Sequence, residues 1–209
     1  MAHFIFRYGV MNSSKTLNLI STVFNYESQG KHVIVIKPQK DTRSPSIQSR
    51  AGLKVDADIV VEENLSGVDL VNKILRHDKL SGKRENFFLP KAVIADEVNF
   101  LTYEQVKSLT MFTDILDVPV MVYGLKTDFR NKLFPGSQAA IEWADKIEEI
   151  KTICHEDDCT TKATINLRLV DGKPTSEGEQ IVVGDVGEGE VTYKPVCRSC
   201  YRNAVKGHI

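Results

Sequence analysis

An α/β fold, a parallel sheet with helices packed on its faces, is what three features of this chain predict. Short apolar runs without polar alternation recur through the first two thirds. Segments of helical period lie between them, and the pattern breaks near residue 151, where cysteines and glycines take over. The runs are Phe4 to Tyr8, His32 to Ile36, Ala92 to Ala95 and Val118 to Tyr123. Each is rich in Val, Ile or Phe, as strands buried on both faces are. Between them, Leu17, Ile20 and Phe24 share a helical face with Leu19 and Val23 beside them. Val68, Val71 and Leu75 repeat the spacing, as do Val106, Leu109 and Met111 to Phe112. Asp58 to Glu62 is expected to add a strand, and Ala139 to Lys151 a helix. The expected division is an α/β domain over 1–151 and a smaller one over 152–209.

Composition narrows the class. The chain has 209 residues, 42% of them apolar and 26% charged, which suits a globular protein of one domain or one with a small appendage and excludes a disordered chain. Lys and Arg number 27 against 28 Asp and Glu, for a net charge of −1. That balance argues against a nucleic-acid partner. No apolar run approaches the roughly 20 residues that span a bilayer. The start, Met1 to Arg7, is too short and too soon interrupted for a signal sequence, so no membrane partner and a cytoplasmic location are expected. In that compartment the four cysteines read as metal ligands or free thiols.

The segment Gly9, Val10, Met11, Asn12, Ser13, Ser14, Lys15, Thr16 follows the first strand and opens the first helix. This is the setting of a phosphate-binding P-loop, in which backbone N–H groups wrap a polyphosphate, the lysine reaches its outer phosphates and the hydroxyl meets Mg²⁺. Ser14 stands where the pattern has Gly. A φ > 0 there costs a serine on the order of 1 kcal/mol. A polar strand-to-helix turn with a capping Ser or Asn would look similar, and position after the first strand favours the phosphate loop. A second signal is Ala92 to Ala95 ending in Asp96 and Glu97. A strand-terminal Asp holds Mg²⁺ in P-loop proteins, and a neighbouring carboxylate can take a proton from an attacking hydroxyl. Alternation along a strand predicts different jobs for the two. A solvated strand end is the blander reading.

Cys154 and Cys159, then Cys197 and Cys200, form two thiol pairs suited to tetrahedral Zn²⁺, which would staple a tail too small for much of a core. His155 is a candidate substitute ligand. Gly184 to Glu190 reads as a flexible acidic loop.

Together these segments resemble the type II thymidine kinase family, over nearly the whole chain. The resemblance is carried by Tyr8 to Thr16, by Asp41-Thr42-Arg43 with Ser49 to Gly52, by Asp96 to Leu101, by Tyr123 to Arg130, by Glu177 to Gly184 and by Tyr193 to Tyr201. It implies a P-loop NTPase-like parallel sheet flanked by helices, with a small C-terminal zinc-binding lasso domain. The implied reaction moves the γ-phosphoryl group of ATP to the 5′-hydroxyl of thymidine, a salvage step for DNA synthesis. By resemblance, residues 9–16 hold the ATP phosphates, with Asp96 near Mg²⁺ and Val98 and Asn99 in the same ATP and Mg²⁺ site. Glu97 matches the general base, Lys15 reaches the outer phosphates, and Arg43 matches an arginine that offsets charge on the transferred group. Phe100, Leu125, Phe129 and Phe134 match the walls of the thymine pocket, and Met11 lies near the base's methyl group. Val182, Val183 and Gly184 match a lasso whose backbone reads the base, and Tyr193 closes the site. Homotetramer assembly and feedback by thymidine triphosphate are further implications.

The chain departs from the family at Ser14, at Asn99 (usually Gln), at Lys126 (commonly Arg), in the longer acidic loop Asp185 to Thr192, and in the wider first cysteine pair. Ser14 motivates one rival, a P-loop protein that binds nucleotide with impaired chemistry. A zinc-ribbon nucleic-acid binder with a P-loop motor is the other. The tail's Glu156, Asp157, Asp158, Glu177, Glu179, Asp185, Glu188 and Glu190 would repel its ligand.

Overall fold

Strand β1 (Phe4–Tyr8) runs through the phosphate-loop segment into helix α1 (Lys15–Glu27). The structure, a computed structural model, describes residues 1–41, 46–80, 89–178, 180 and 191–205. Next come β2 (Ile34–Pro38), the antiparallel pair β3 (Ser46–Gln48) and β4 (Lys54–Asp56), β5 (Ile59–Val61) and α2 (Gly67–Leu80). β6 (Val93–Ala95) leads into one 3₁₀ turn (Val98–Phe100), α3 (Tyr103–Ser108) and α4 (Thr110–Asp114). β7 (Val120–Gly124), α5 (Pro135–Trp143) and β8 (Lys146–Glu149) complete the sheet. The remainder is β9 (Ile165–Val170), β10 (Lys173–Thr175), β11 (Val191–Val196) and α6 (Arg198–Val205).

The six-stranded sheet has the order β5-β2-β6-β7-β1-β8, and every pairing in it is parallel. Both faces are covered, which is why the strands read as unbroken apolar runs. Phe4, Phe6, Ile34, Ile36, Val93, Val120 and Val122 enter one core with residues of α2 to α5. Their alternates Val33, Val35, Ala92, Ile94, Met121 and Tyr123 enter the other with Leu19, Ile20 and Val23 of α1. The expected α/β class is thus what the chain adopts. A smaller antiparallel sheet, β10-β9-β11, follows it.

Three local expectations need correction. The helix expected over Ala139 to Lys151 is half of one. Helix α5 ends when Ala144 turns extended, and Asp145 then accepts from Phe4 N at 2.7 Å and donates its own N–H to Phe4 O at 2.9 Å. Lys146–Glu149 is instead an edge strand, where charged side chains are tolerated because one side of the strand faces no partner. The helical faces are also rotated by one position. Leu19, Ile20 and Val23 are buried on α1 while Phe24 is exposed, and Leu70, Val71 and Ile74 are buried on α2 while Val68 is exposed. Met111 is likewise exposed beside buried Phe112.

The 3₁₀ turn is packed without slack against β7 and α5. A Cβ on Gly124 would lie 2.5 Å from Asn99 Oδ1, and one on Gly136 would lie 2.7 Å from Leu101 O and closer still to Val98 O. Overpacking of this kind costs about 1–3 kcal/mol. Gly136→Ala is therefore expected to lower the unfolding free energy by about that amount, read from a denaturant titration; an unchanged midpoint would show that the turn has room to give.

Candidate active site

In a parallel sheet the loops after the strands gather at one edge, and here β1, β6 and β7, neighbours in the sheet, deliver the phosphate loop, the acid pair and the segment from Leu125 onward. The first loop is tight. A Cβ on Gly9 would meet Ile150 O at 2.5 Å and the Ser13 side chain closer than that. Asn12 has φ 62° and Ser14, at the head of α1, has φ 63° and ψ 27°. Asn tolerates this left-handed region, whereas Ser14 pays on the order of 1 kcal/mol for it. The position that motifs of this kind give to Gly therefore does need a positive φ. Lys15 is buried, and its Nζ donates to Val10 O at 2.8 Å within the loop.

Strand β6 stops at Ala95, and the acid pair lies just beyond it. Glu97 takes a left-handed conformation, φ 46° and ψ 44°, and its N–H donates to Asp96 Oδ1 at 3.0 Å. Their different surroundings thus come from this turn rather than from strand alternation. Glu97 faces the cavity and Asp96 lies beneath it, both buried. Burial pushes the Asp96 carboxyl up to about 7, helped by the nearby Glu97 charge and by Asp41; the Glu97 N–H and Lys15 act in the opposite direction.

The cavity has a volume of about 590 Å³. One side is polar, with Met11 to Leu17 of the loop and helix α1, Lys40, Asp41, and Gln48 to Ala51. The other is aromatic, with Phe100, Leu125, Phe129 and Phe134. Phe100 and Phe134 meet edge-on at 6.2 Å. Phe129 is flanked by two guanidinium groups, Arg168 at 4.9 Å and Arg130 at 5.2 Å from its ring centre. Asp128 sets this loop's shape by accepting from the Arg130 and Lys132 backbone N–H groups at 2.9 and 2.8 Å and from the Arg130 guanidinium at 3.0 Å. Three bonds reach the site from the C-terminal part. Asn166 Oδ1 accepts from Met11 N at 2.8 Å, Tyr201 donates to Phe129 O at 3.2 Å, and Gln180 donates to Leu133 O at 3.3 Å.

Of the residues expected here from sequence, Met11, Asn12, Ser13, Ser14, Lys15, Thr16, Glu97, Phe100, Leu125, Phe129, Phe134 and Tyr193 line this one cavity. Gly9 and Val10 line a neighbouring one. Asp96, Val98 and Asn99 are buried and form no part of the wall. Asn99 instead accepts from Leu125 N at 2.9 Å, tying the 3₁₀ turn to the aromatic side. Arg43, Val182, Val183 and Gly184, with the acidic loop from Gly184 to Glu190, lie outside the described residues. Sequence reasoning passed over Lys40, Gln48, Thr127, Asp128, Asn166, Arg168 and Gln180 as site residues. For Asn166 and Arg168 a signal existed: they alternate with Ile165, Leu167 and Leu169, so the polar pair shares one face of β9, and both are buried.

The four cysteines converge. Their sulfurs all lie within 4.8 Å of one another, and Cys159 and Cys197 are 3.9 Å apart. Tetrahedral zinc–thiolate bonds would set sulfurs about 3.8 Å apart. Cys154 Sγ accepts from Cys197 N at 3.2 Å, and Cys197 Sγ from Cys200 N at 3.5 Å. Hydrogen bonds from Thr161 lower the Cys159 thiol, whereas hydrogen bonding to the neighbouring sulfurs, Cys197 first, raises that of Cys200. His155 is not part of the cluster. Around it, Leu167, Val196 and Val205 supply the only sizeable apolar group described in this region.

A phosphate-type loop after the first strand of a parallel sheet, with a buried acid pair after a central strand, defines a P-loop α/β protein. The family profile described as thymidine kinase matches residues 2–201. A thymidine kinase of Lactococcus lactis is 43% identical over 203 residues, covering 96% of this chain and 97% of that one. Relatives of the same name from Enterococcus faecalis (41% identical, 96% and 95% covered) and Streptococcus agalactiae (42%, 97% and 98%) are similar to it over the same extent. The chain belongs to the thymidine kinase family. Neither the fold nor these relatives support the rival reading in which Ser14 leaves a loop without useful chemistry.

The buried Asp96 carboxyl makes a pH-dependent contribution to stability. Its folded pKa lies above its unfolded one, so between about pH 4 and 7 the folded state retains a proton that the unfolded chain has released. Stability therefore falls as pH rises through that window, and the full cost is present above it. Asp96→Asn removes the cost. Without nucleotide or divalent cations, the variant is expected to exceed the parent in unfolding free energy at pH 8, by at most about 4 kcal/mol, and to match it near pH 4. Parallel curves across this range would contradict the assignment.

Proposed function

We propose that this protein is an ATP-dependent thymidine kinase, forming thymidine monophosphate from thymidine. The observation that carries the reading is one cavity with a phosphate loop and a carboxylate on its polar side and four large apolar side chains on the other. A triphosphate suits the first and a flat pyrimidine the second. Glu97 takes the proton of the 5′-hydroxyl as that oxygen attacks the γ-phosphorus; the new O–P bond replaces the bond to the β-phosphate oxygen, and ADP leaves. Lys15 exchanges Val10 O for the outer phosphates, and the loop's N–H groups hold the rest. Arg43 offsets charge on the phosphoryl group in flight. Phe100, Leu125, Phe129 and Phe134 enclose the base, Met11 borders its methyl group, Tyr193 covers it, and Val182, Val183 and Gly184 read its edge.

Mg²⁺ fits this donor set, since a cation would offset the burial and the Glu97 charge that raise the Asp96 carboxyl, and Thr16 offers a hydroxyl in the cavity that Glu97 lines. When bound, the ion neutralises phosphate charge. Zinc fits the four sulfurs. Family resemblance supports homotetramer assembly, feedback by thymidine triphosphate in the substrate site, and a cytoplasmic location. Among the described residues no helix is long and apolar enough to cross a membrane.

Transfer of radiolabel from γ-labelled ATP to thymidine, with cytidine and deoxyadenosine as controls, tests the reading. Label is expected on thymidine alone. Glu97→Gln is expected to lower kcat by about 10²–10⁴-fold while thymidine binding persists; turnover near the parent's would remove Glu97 as the base. Metal analysis is expected to find one zinc per chain. Cys197→Ser should lose it and cost several kcal/mol of stability, and an unchanged melting temperature with no zinc found would refute the staple.

A further inference from the structure

A second cavity, of about 240 Å³, touches the phosphate loop at Gly9 and Val10, the two loop residues that the main cavity leaves out. Three cations line it, Lys126, Lys162 and Arg198, against one carboxylate, Glu149. Glu149 is already engaged by Lys162, at 2.6 and 2.9 Å. Lys126 lies over the Tyr8 ring at 5.4 Å, and among the described residues neither it nor Arg198 has a carboxylate within ion-pair distance. Two cations of different geometry lining one cavity are a set that recognises a tetrahedral oxyanion, the guanidinium as a fork and the ammonium as a point charge.

We propose that this cavity binds a phosphate group, as the free ion or as the tail of a nucleotide, at a site separate from the phosphate loop's own. The inference does not depend on the kinase reading, because it uses neither Glu97 nor the aromatic wall. Because Gly9 and Val10 border the site and Val10 O holds Lys15, an anion there would sit against the back of the loop that faces the main cavity.

The test uses the full-length chain carrying Lys15→Ala, which weakens the loop's own grip, and titrates it with inorganic phosphate at constant ionic strength while following ³¹P line broadening. Saturable binding in the millimolar range is expected. Adding Lys126→Ala and Arg198→Ala should weaken it about tenfold or more, and adding the charge-conserving Arg198→Lys instead, which keeps the cation and loses the fork, should weaken it about threefold. Should the double variant fail to fold by circular dichroism, Arg198→Lys decides. Absence of saturable binding in the Lys15→Ala chain, or binding unaffected by Arg198→Lys, overturns the proposal. Repeating the titration with a non-hydrolysable ATP analogue present separates the sources: competition marks a nucleotide tail, and undiminished phosphate binding marks the free ion.

Discussion

Where Glu97 sits is decided by the missing side chains of two glycines. Any Cβ at Gly124 or Gly136 would collide with the turn after β6, so the end of β7 and the start of α5 can close on that turn only because both positions are bare. Close packing then leaves Val98 and Asn99 essentially without solvent. The Asn99 carboxamide spans the remaining gap to Leu125 N. A carboxylate and the aromatic wall facing it are thereby parts of one rigid unit. A longer amide would have to fold back or displace the turn, so the shorter residue at this position belongs to a local packing solution.

Against that rigid unit stands a loop under tension. Ser14 and Glu97 both hold left-handed conformations that side-chain-bearing residues avoid, and Asp96 and Lys15 are charged-type groups out of water. Such costs persist when the surrounding structure over-determines them, and they concentrate where polar groups must be held ready for a ligand. Here the over-determination is visible: Gly9 is wedged against Ile150 and Ser13, Met11 N is held by Asn166, and Lys15 is held by Val10 O. Ser14 adds strain to a loop whose path these neighbours hold.

Much of this was legible in the sequence, for physical reasons that also mark the limits. Strands buried on both faces are continuous apolar runs, so β1, β6 and β7 could be read directly, and the loops after them followed. Helical faces were read one position off because Phe24, Val68 and Met111 are large and apolar yet exposed. Periodicity counts apolar residues and cannot see which direction the sheet lies in. The edge strand β8 is mostly charged and short, so its propensity resembled that of the helix before it. Within one motif, Glu97 and Phe100 face the cavity while Val98 and Asn99 do not, and only the left-handed turn at Glu97 separates them. No spacing rule encodes that turn. Asp128 shapes its loop through the backbone N–H groups of Arg130 and Lys132, a role that no spacing in the sequence carries.

The cysteine module has a reason to be in such a protein beyond holding its own tail. β9 is the central strand of the small sheet, carrying Asn166 and Arg168 on one face, while β11 ends beside Cys197 and α6 carries Cys200 and Tyr201. Each of these elements also reaches the cavity, Asn166 at the phosphate loop, Arg168 and Tyr201 at Phe129, and Tyr193 at the wall. With so few apolar side chains of its own, the small sheet cannot hold those groups to a fraction of an ångström by hydrophobic burial. A zinc ion on the four converging sulfurs would, because it would join the β-hairpin after Cys154 to the helix after Cys197 by a short, stiff link. On the proposed reading such a staple would help position the aromatic side of the site: Asn166 couples the small sheet to the phosphate loop, and loosening the staple would be felt at Phe129 before it was felt anywhere in the large sheet.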